Sequence, residues 1–151
     1  MEIFDGIEHV AAEGTSSLRQ YFEPGQYLVT IYRVRLYERK LGGGKLFIVE
    51  TTVDESDNPH IKPGEQRNWV QTFALPYALP RIKSFIGAAM GLCPQQQTRE
   101  INAKATAAIC NQAVSHENPV HGKKLRLTCI GKTTSKGKEF IQHVWGLYEN
   151  M

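Results

Sequence analysis

The sequence predicts a mainly β domain with a helical insert, in which five strands form an OB-like barrel in the element order β-β-β-α-β-β. The element order supports this class, since three strand-like segments precede a stretch of helical periodicity and two follow it. The apolar alternation of the first strand also changes phase within the strand, and the second strand is apolar on both faces along part of its length. Both features are typical of strands in a small closed barrel. A plain α+β sheet is the alternative that these patterns leave open.

The first strand is predicted at residues 26–38, where Tyr, Val, Ile and Leu predominate after a Pro-Gly turn. In a regular strand all the apolar residues of one face are either odd-numbered or even-numbered. Here the apolar positions change from odd numbers at Val29 and Ile31 to even numbers at Val34 and Leu36. We therefore expect a bend or a bulge near Tyr32 and Arg33.

The second strand is predicted at residues 45–53, after the turn Gly42-Gly43-Gly44, and the third at residues 65–73, after a loop rich in Asp, Pro and Gly. Apolar residues on both parities indicate a central position for the second strand. In the third strand, Arg67 and Trp69 share one face.

Helical periodicity is clearest at residues 77–92, and a second helix is predicted at residues 98–114. Residues 123–130 and 139–147 then have the composition of two further strands. Together with the turn at residues 131–138, they are predicted to form a basic hairpin.

The chain of 151 residues is 41% hydrophobic and 22% charged, the composition of an ordinary globular domain. We divide it into an N-terminal arm, residues 1–24, and a single OB-like domain, residues 25–151, whose helical insert occupies residues 77–114. Three cysteines without a C-x-x-C pair indicate neither a disulfide framework nor a zinc finger. No apolar run approaches the roughly 18 residues of a membrane span, so we expect a cytoplasmic protein without membrane association.

Positive charge is concentrated in one segment, although the net charge of the whole chain is only +3. Residues 118–138 contain six Lys and Arg and no Asp or Glu, whereas the remainder has twelve Lys and Arg against fifteen acids. A local excess of this kind favours a binding face for a polyanion.

The sequence lacks the motifs of common hydrolases, phosphate loops and zinc proteases. Gly42-Gly43-Gly44-Lys45 imitates a phosphate loop without its spacing, and Asp54-Glu55-Ser56-Asp57 lacks the glycine and terminal glutamate of a calcium loop. Cys110, His116 and His121 match no common zinc spacing. We therefore predict a protein that is not an enzyme and that uses neither a cofactor nor a metal.

A site for single-stranded nucleic acid needs cations for the phosphates and aromatic rings for the bases. Both residue types alternate along the first and third predicted strands, and the last hairpin adds lysines. The alternative is that Trp69 and Phe73 belong to the core and that the lysines only solvate the hairpin. The predicted nucleic-acid-binding residues are Arg33, Arg35, Tyr37, Arg67, Trp69, Phe73, Lys124, Arg126, Lys132, Lys136 and Lys138.

Short motifs spread over most of the chain share a pattern of turns and core positions: Pro24-Gly25-Gln26-Tyr27, Phe47-Ile48-Val49-Glu50, Ile82-Lys83-Ser84-Phe85 with Gly91, Asn118-Pro119 through Gly122, and Thr134-Ser135-Lys136-Gly137-Lys138-Glu139-Phe140. With these motifs the sequence resembles phage-encoded OB-fold proteins of the single-stranded-DNA-binding type. The resemblance implies a role in phage DNA replication or recombination, in the host cytoplasm. Many replicative single-strand binders end in an acidic tail that recruits partner proteins, whereas this chain ends Trp145-Gly146-Leu147-Tyr148-Glu149-Asn150-Met151.

The leading hypothesis is sequence-tolerant binding of single-stranded DNA without catalysis. The second hypothesis is a phage protein–protein interaction module, either structural or directed against a host factor, on the same fold. A third is a nuclease or nucleotide-processing enzyme that uses the acids around Glu50 to Asp57. The expected partners are single-stranded DNA and phage replication or host proteins, and strand edges favour a homodimer.

Overall fold

The computed structural model describes residues 21–38 and 44–148. Its elements are β1 (Gly25–Glu38), β2 (Lys45–Ser56), β3 (Gln66–Thr72), α1 (Ala78–Ala89), α2 (Thr98–Lys104), α3 (Ala107–Ala113), β4 (Lys124–Thr133) and β5 (Glu139–Leu147). A mainly β chain with a helical insert between the third and fourth strands is confirmed. Most of the predicted arm and most of the triple-glycine turn lie outside the described residues.

The strands form one antiparallel sheet in the order β3-β2-β1-β4-β5. The first three strands are a meander, and β4 returns past the helices to lie beside β1, which is the Greek-key arrangement. Within the described residues the sheet is not closed into the predicted barrel, because β3 and β5 are its two edges and form no ladder with each other. A gap therefore separates these two edges.

The bulge predicted in the first strand is confirmed. The pairing of β1 with β2 shifts register between Ile31 and Arg33, and a second shift lies between Leu28 and Val29. Because of the first shift, both Ile31 and Val34 face the interior and are completely buried. The bent strand pairs with β4 only from Gly25 to Thr30 and continues along β2 beyond that point.

An aromatic cluster fills the interior below the gap between β3 and β5. The ring of Trp69 lies 6.0 Å from those of Phe47 and Phe85 and 5.8 Å from that of Trp145. Phe85, from α1, in turn packs edge-on against Trp145 at 4.9 Å. Side chains from β3, β5 and α1 thus close the core where the strands themselves do not pair.

The second predicted helix is wrong as a single helix, because the structure divides it into α2 and α3 at Ala105 and Thr106. The hydroxyl oxygen of Thr106 accepts a hydrogen bond from the backbone N–H of Ile109 at 3.3 Å, so that Thr106 caps a new helix. Ala105 is buried at the junction. No helix within residues 21–38 and 44–148 is long and apolar enough to cross a bilayer.

Replacing Gly87 by alanine is expected to lower the free energy of unfolding by about 2 kcal/mol, although alanine is the better helix former. A Cβ atom at this position would lie 2.6 Å from the Cγ1 and Cδ1 atoms of Ile101, which packs α2 against α1. Urea unfolding measures the loss. In an Ile101→Ala background the same substitution should cost less, and an equal cost in both backgrounds would contradict this account of the contact.

Candidate nucleic-acid interface

A cleft of about 830 Å³ occupies the gap between the open edge of β3 and the β4–β5 hairpin. Its aromatic lining comes from three separate parts of the chain: Tyr21 and Phe22 before β1, Trp69 in β3, and Phe140 and His143 in β5. Polar side chains complete the walls, namely Asn68, Lys132, Thr133 and Glu139. Its volume lies within the range of about 300–1,000 Å³ that is usual for ligand pockets.

The short segment before β1 fills part of this gap. Tyr21 forms an isolated parallel bridge with Asn68 of β3, and its carbonyl oxygen accepts a hydrogen bond of 3.0 Å from Nη1 of Arg67. The next residue, Phe22, is buried against the ring of Tyr27 at 5.0 Å and that of His143 at 6.4 Å. The Tyr21 side chain remains 47% exposed at the cleft.

The hairpin tip presents its lysines through a hydrogen-bonded turn. Thr134 and Lys138 are joined by a backbone hydrogen bond of 2.8 Å, and the Thr134 hydroxyl accepts from the Lys138 N–H at 3.1 Å. Gly137 adopts a φ of +80°, the left-handed conformation that glycine tolerates best. The exposed lysines 132, 136 and 138 have no carboxylate within 4.0 Å in the described part of the chain.

His143 is a neutral ring in the wall of the cleft. Burial lowers the pKa of its imidazole to about 4. A hydrogen bond with the backbone of Ile141 raises this pKa in part, and the positive charge of Arg81 lowers it further. The ring lies 5.9 Å from that of Trp69. At neutral pH His143 therefore extends the aromatic lining without adding charge.

Three predicted residues lie together on the outer face of β1, away from the core. Arg33, Arg35 and Tyr37 alternate there, and Glu50 on the neighbouring strand contacts both arginines. Its Oε1 atom lies 2.7 Å from Nε of Arg33 and 3.4 Å from Nε of Arg35. The carboxylate offsets part of the positive charge of this face.

Lys124 and Arg126 lie on the outer face of β4, away from the hairpin tip. The Nζ atom of Lys124 contacts Oδ2 of Asp54 at 3.1 Å and the hydroxyl of Thr30 at 2.8 Å. Arg126 is partly buried opposite Leu28. The structure does not bring these two cations together with the hairpin lysines.

The third-strand residues of the predicted site face the core. Trp69 is only 3% exposed within the aromatic cluster, and Arg67 is 1% exposed with Nη2 held 2.6 Å from Oε1 of Glu65. Phe73 is partly buried against the same core. In this conformation Trp69 offers no open face to a base, because other rings pack against it. Arg67 is not open to a phosphate, because its guanidinium group is buried and paired with Glu65.

Two residues that the sequence did not assign to the site are Tyr21 and Phe140, which is 37% exposed beside the hairpin lysines. The sequence of the last strand gives two alternating sets of residues without indicating which set is buried. In the structure Ile141, His143 and Trp145 face inwards. Tyr21 carries no local signal, since its place depends on contacts with β3, among them the bridge to Asn68 and the hydrogen bond from Arg67.

The three cysteines are free, and the described residues contain no group of three His, Cys, Asp or Glu side chains that could hold a metal ion. The cleft has an aromatic lining and one lysine, Lys132, in its wall, and it is built from parts of the chain that are distant in sequence. The chain matches no protein-family model and no curated protein.

Proposed function

We propose that this protein binds single-stranded DNA without catalysis and with little dependence on sequence, in phage DNA replication or recombination. One observation supports the proposal above the others: Lys132 lines a cleft with aromatic walls, and the exposed Lys136 and Lys138 follow it on the adjoining turn. Within the described residues none of the three has a carboxylate within 4.0 Å. Cations replace the counterions of the phosphates, and exposed rings stack on bases.

In the proposed complex the backbone of the strand follows Lys132, Lys136 and Lys138, and the bases turn towards Tyr21 and Phe140. This division suits a single strand, because the bases of a duplex are stacked and paired and cannot reach rings inside a cleft. The arginines on the outer face of β1 extend the path as a weaker, partly neutralised track.

We further propose that the fold is an OB-type barrel that is open between its third and fifth strands. The Greek-key order and the sharing of β1 between β2 and β4 support this assignment. OB folds bind oligonucleotides on the face of the second and third strands and with the loop between the fourth and fifth, which here is the lysine-bearing turn.

The direct test is fluorescence anisotropy of labelled single-stranded and duplex oligonucleotides of equal length across a salt series. The proposal expects binding that weakens steeply with salt and that favours the single strand. Absence of binding to either form at low salt would remove DNA binding and leave only the fold.

Joint replacement of Lys132, Lys136 and Lys138 by alanine is expected to weaken single-strand binding about 100-fold at about 50 mM salt. Each lost phosphate contact should also reduce the slope of log affinity against log salt by about 0.7, so that the slope falls by about 2. The matched control replaces three exposed cations on other elements, Lys62, Arg99 and Lys104. Equal losses in the two triple variants would indicate a general charge effect and would remove the hairpin from the site.

A protein–protein interaction module is the second candidate, and an apolar groove of about 510 Å³ favours it. Leu36, Phe73 and Leu79 line this groove between the sheet and the helices, and the Leu79 side chain is 67% exposed. Affinity purification from nuclease-treated host lysate, compared for the wild type and Leu79→Lys, distinguishes the two functions. A protein that is retained by the wild type alone would support the interaction module.

A further inference from the structure

We infer that the cleft between β3 and the β4–β5 hairpin is a nucleobase site that prefers cytosine to thymine, with Glu139 as the residue that sets the preference. The inference rests on the proposed function and deepens it. Phosphate contacts would supply most of the affinity for any sequence, and this single position would add a modest bias among bases.

Glu139 lines the cleft at the start of β5. It is the first residue of β5 and pairs with Thr133 on the strand face that also bears Ile141 and His143, so its side chain is directed to the cleft. It is also the first acid after a segment of six cations. Within the described residues its carboxylate makes no ion pair or hydrogen bond, although lysines surround it in the sequence.

A carboxylate beside a phosphate-binding hairpin repels the backbone of DNA, so its contribution to binding must come from donors on the ligand. An ionised carboxylate only accepts hydrogen bonds, and the exocyclic amino group of cytosine donates them. Thymine presents a carbonyl oxygen in the place of that amino group. A thymine at the same position would therefore set two acceptors against each other.

The opposite wall supplies the complementary partner. Asn68, on the open edge of β3, has a partly exposed side-chain amide that makes no hydrogen bond in the described part of the chain. Its NH₂ group can donate to the ring nitrogen or carbonyl oxygen of cytosine. Tyr21 and Phe140 offer exposed rings at the same cleft for the flat face of the base. The juxtaposition of an acceptor, an amide and two rings suits a base with an exocyclic amino group, which among the pyrimidines of DNA is cytosine and not thymine.

The test compares oligo(dC) and oligo(dT) of equal length by competition anisotropy at neutral pH, since the two differ in their bases and share one backbone. Wild-type protein is expected to bind oligo(dC) about 10-fold more tightly. Glu139→Ala should bring the ratio of the two affinities close to one while raising the affinity for oligo(dT), because a negative charge is removed. Glu117→Ala, at another exposed acid, is the matched control and should leave the ratio unchanged.

The outcomes separate the two levels of the proposal. Tight binding with equal affinity for both oligonucleotides would overturn the cytosine site and leave single-strand binding intact. If the preference for oligo(dC) persists in the Glu139→Ala variant, Glu139 is not the residue that sets it. Absence of binding to both oligonucleotides would overturn the proposed function itself.

Discussion

Replacement of Trp69 by alanine is expected to lower the free energy of unfolding by about 4 kcal/mol, the loss typical of a large aromatic removed from a core. The indole is buried between rings from three other elements, so its removal leaves a cavity that these rings cannot fill without moving. Urea denaturation followed by circular dichroism measures the change. Trp69→Phe keeps a ring in place and should cost less than half as much.

The same pair of variants decides between the two roles that the sequence left open for this tryptophan. If Trp69 is a core residue, the folded Trp69→Phe protein should bind single-stranded DNA as the wild type does. If DNA affinity fell tenfold while the stability stayed near the wild-type value, Trp69 would instead be a base-stacking residue, and the buried position seen in the structure would have to open on binding.

The second large effect is a loss of stability with acidification. Burial lowers the pKa of His143 in the folded protein from 6.5 to about 4, so that between these values the unfolded chain binds a proton that the folded chain does not. The contribution of His143 to stability is therefore complete above pH 6.5 and is lost as the pH falls to about 4. Its full size is about 3 kcal/mol, and denaturant unfolding at a series of pH values measures it.

His143→Phe is the control, since phenylalanine preserves the ring contacts with Phe22 and Trp69 and does not titrate. Other groups also respond to acid, among them Glu65, whose pKa is lowered by hydrogen bonds from the Lys62 backbone and the Arg67 side chain. The difference between wild type and His143→Phe removes their contribution. Parallel stability curves for the two proteins between pH 4 and 6.5 would show that the imidazole is not shielded from water as the structure indicates.

Features that depend on neighbouring residues could be predicted from the sequence. The change of parity between Ile31 and Val34 marks the bulge in β1, and two strand-like segments around the turn at residues 131–138 mark the hairpin, because each signal is local in sequence. The division of the second helix could not be predicted. Thr106 interrupts the helix only because its hydroxyl accepts the N–H of Ile109 in place of a backbone carbonyl of a continuous helix.

The candidate site was predicted less completely because strand alternation gives two faces without saying which one is buried. In β3, Arg67 and Trp69 share a face with Gln71, and that mixed face is the one turned to the core. An arginine in a strand indicates an exposed face unless buried partners satisfy its guanidinium group. One such partner of Arg67 is the carbonyl of Tyr21, which lies 46 residues away and cannot be recognised from the sequence. Only the tertiary structure brings the open edge of β3, the residues before β1 and the β5 face into one cleft.

The place of β1 between β2 and β4 has a consequence for the order in which the protein forms. Gly25 pairs with Cys129, so the last neighbour of the first strand is made only after the meander and all three helices have been synthesised. During translation the half of β1 from Gly25 to Thr30 waits with an unpaired edge, and such edges are where nascent chains join the wrong strand. Pairings this distant along the chain also form slowly. The protein is thus most prone to misassembly in the interval between the emergence of α1 and the completion of the final hairpin.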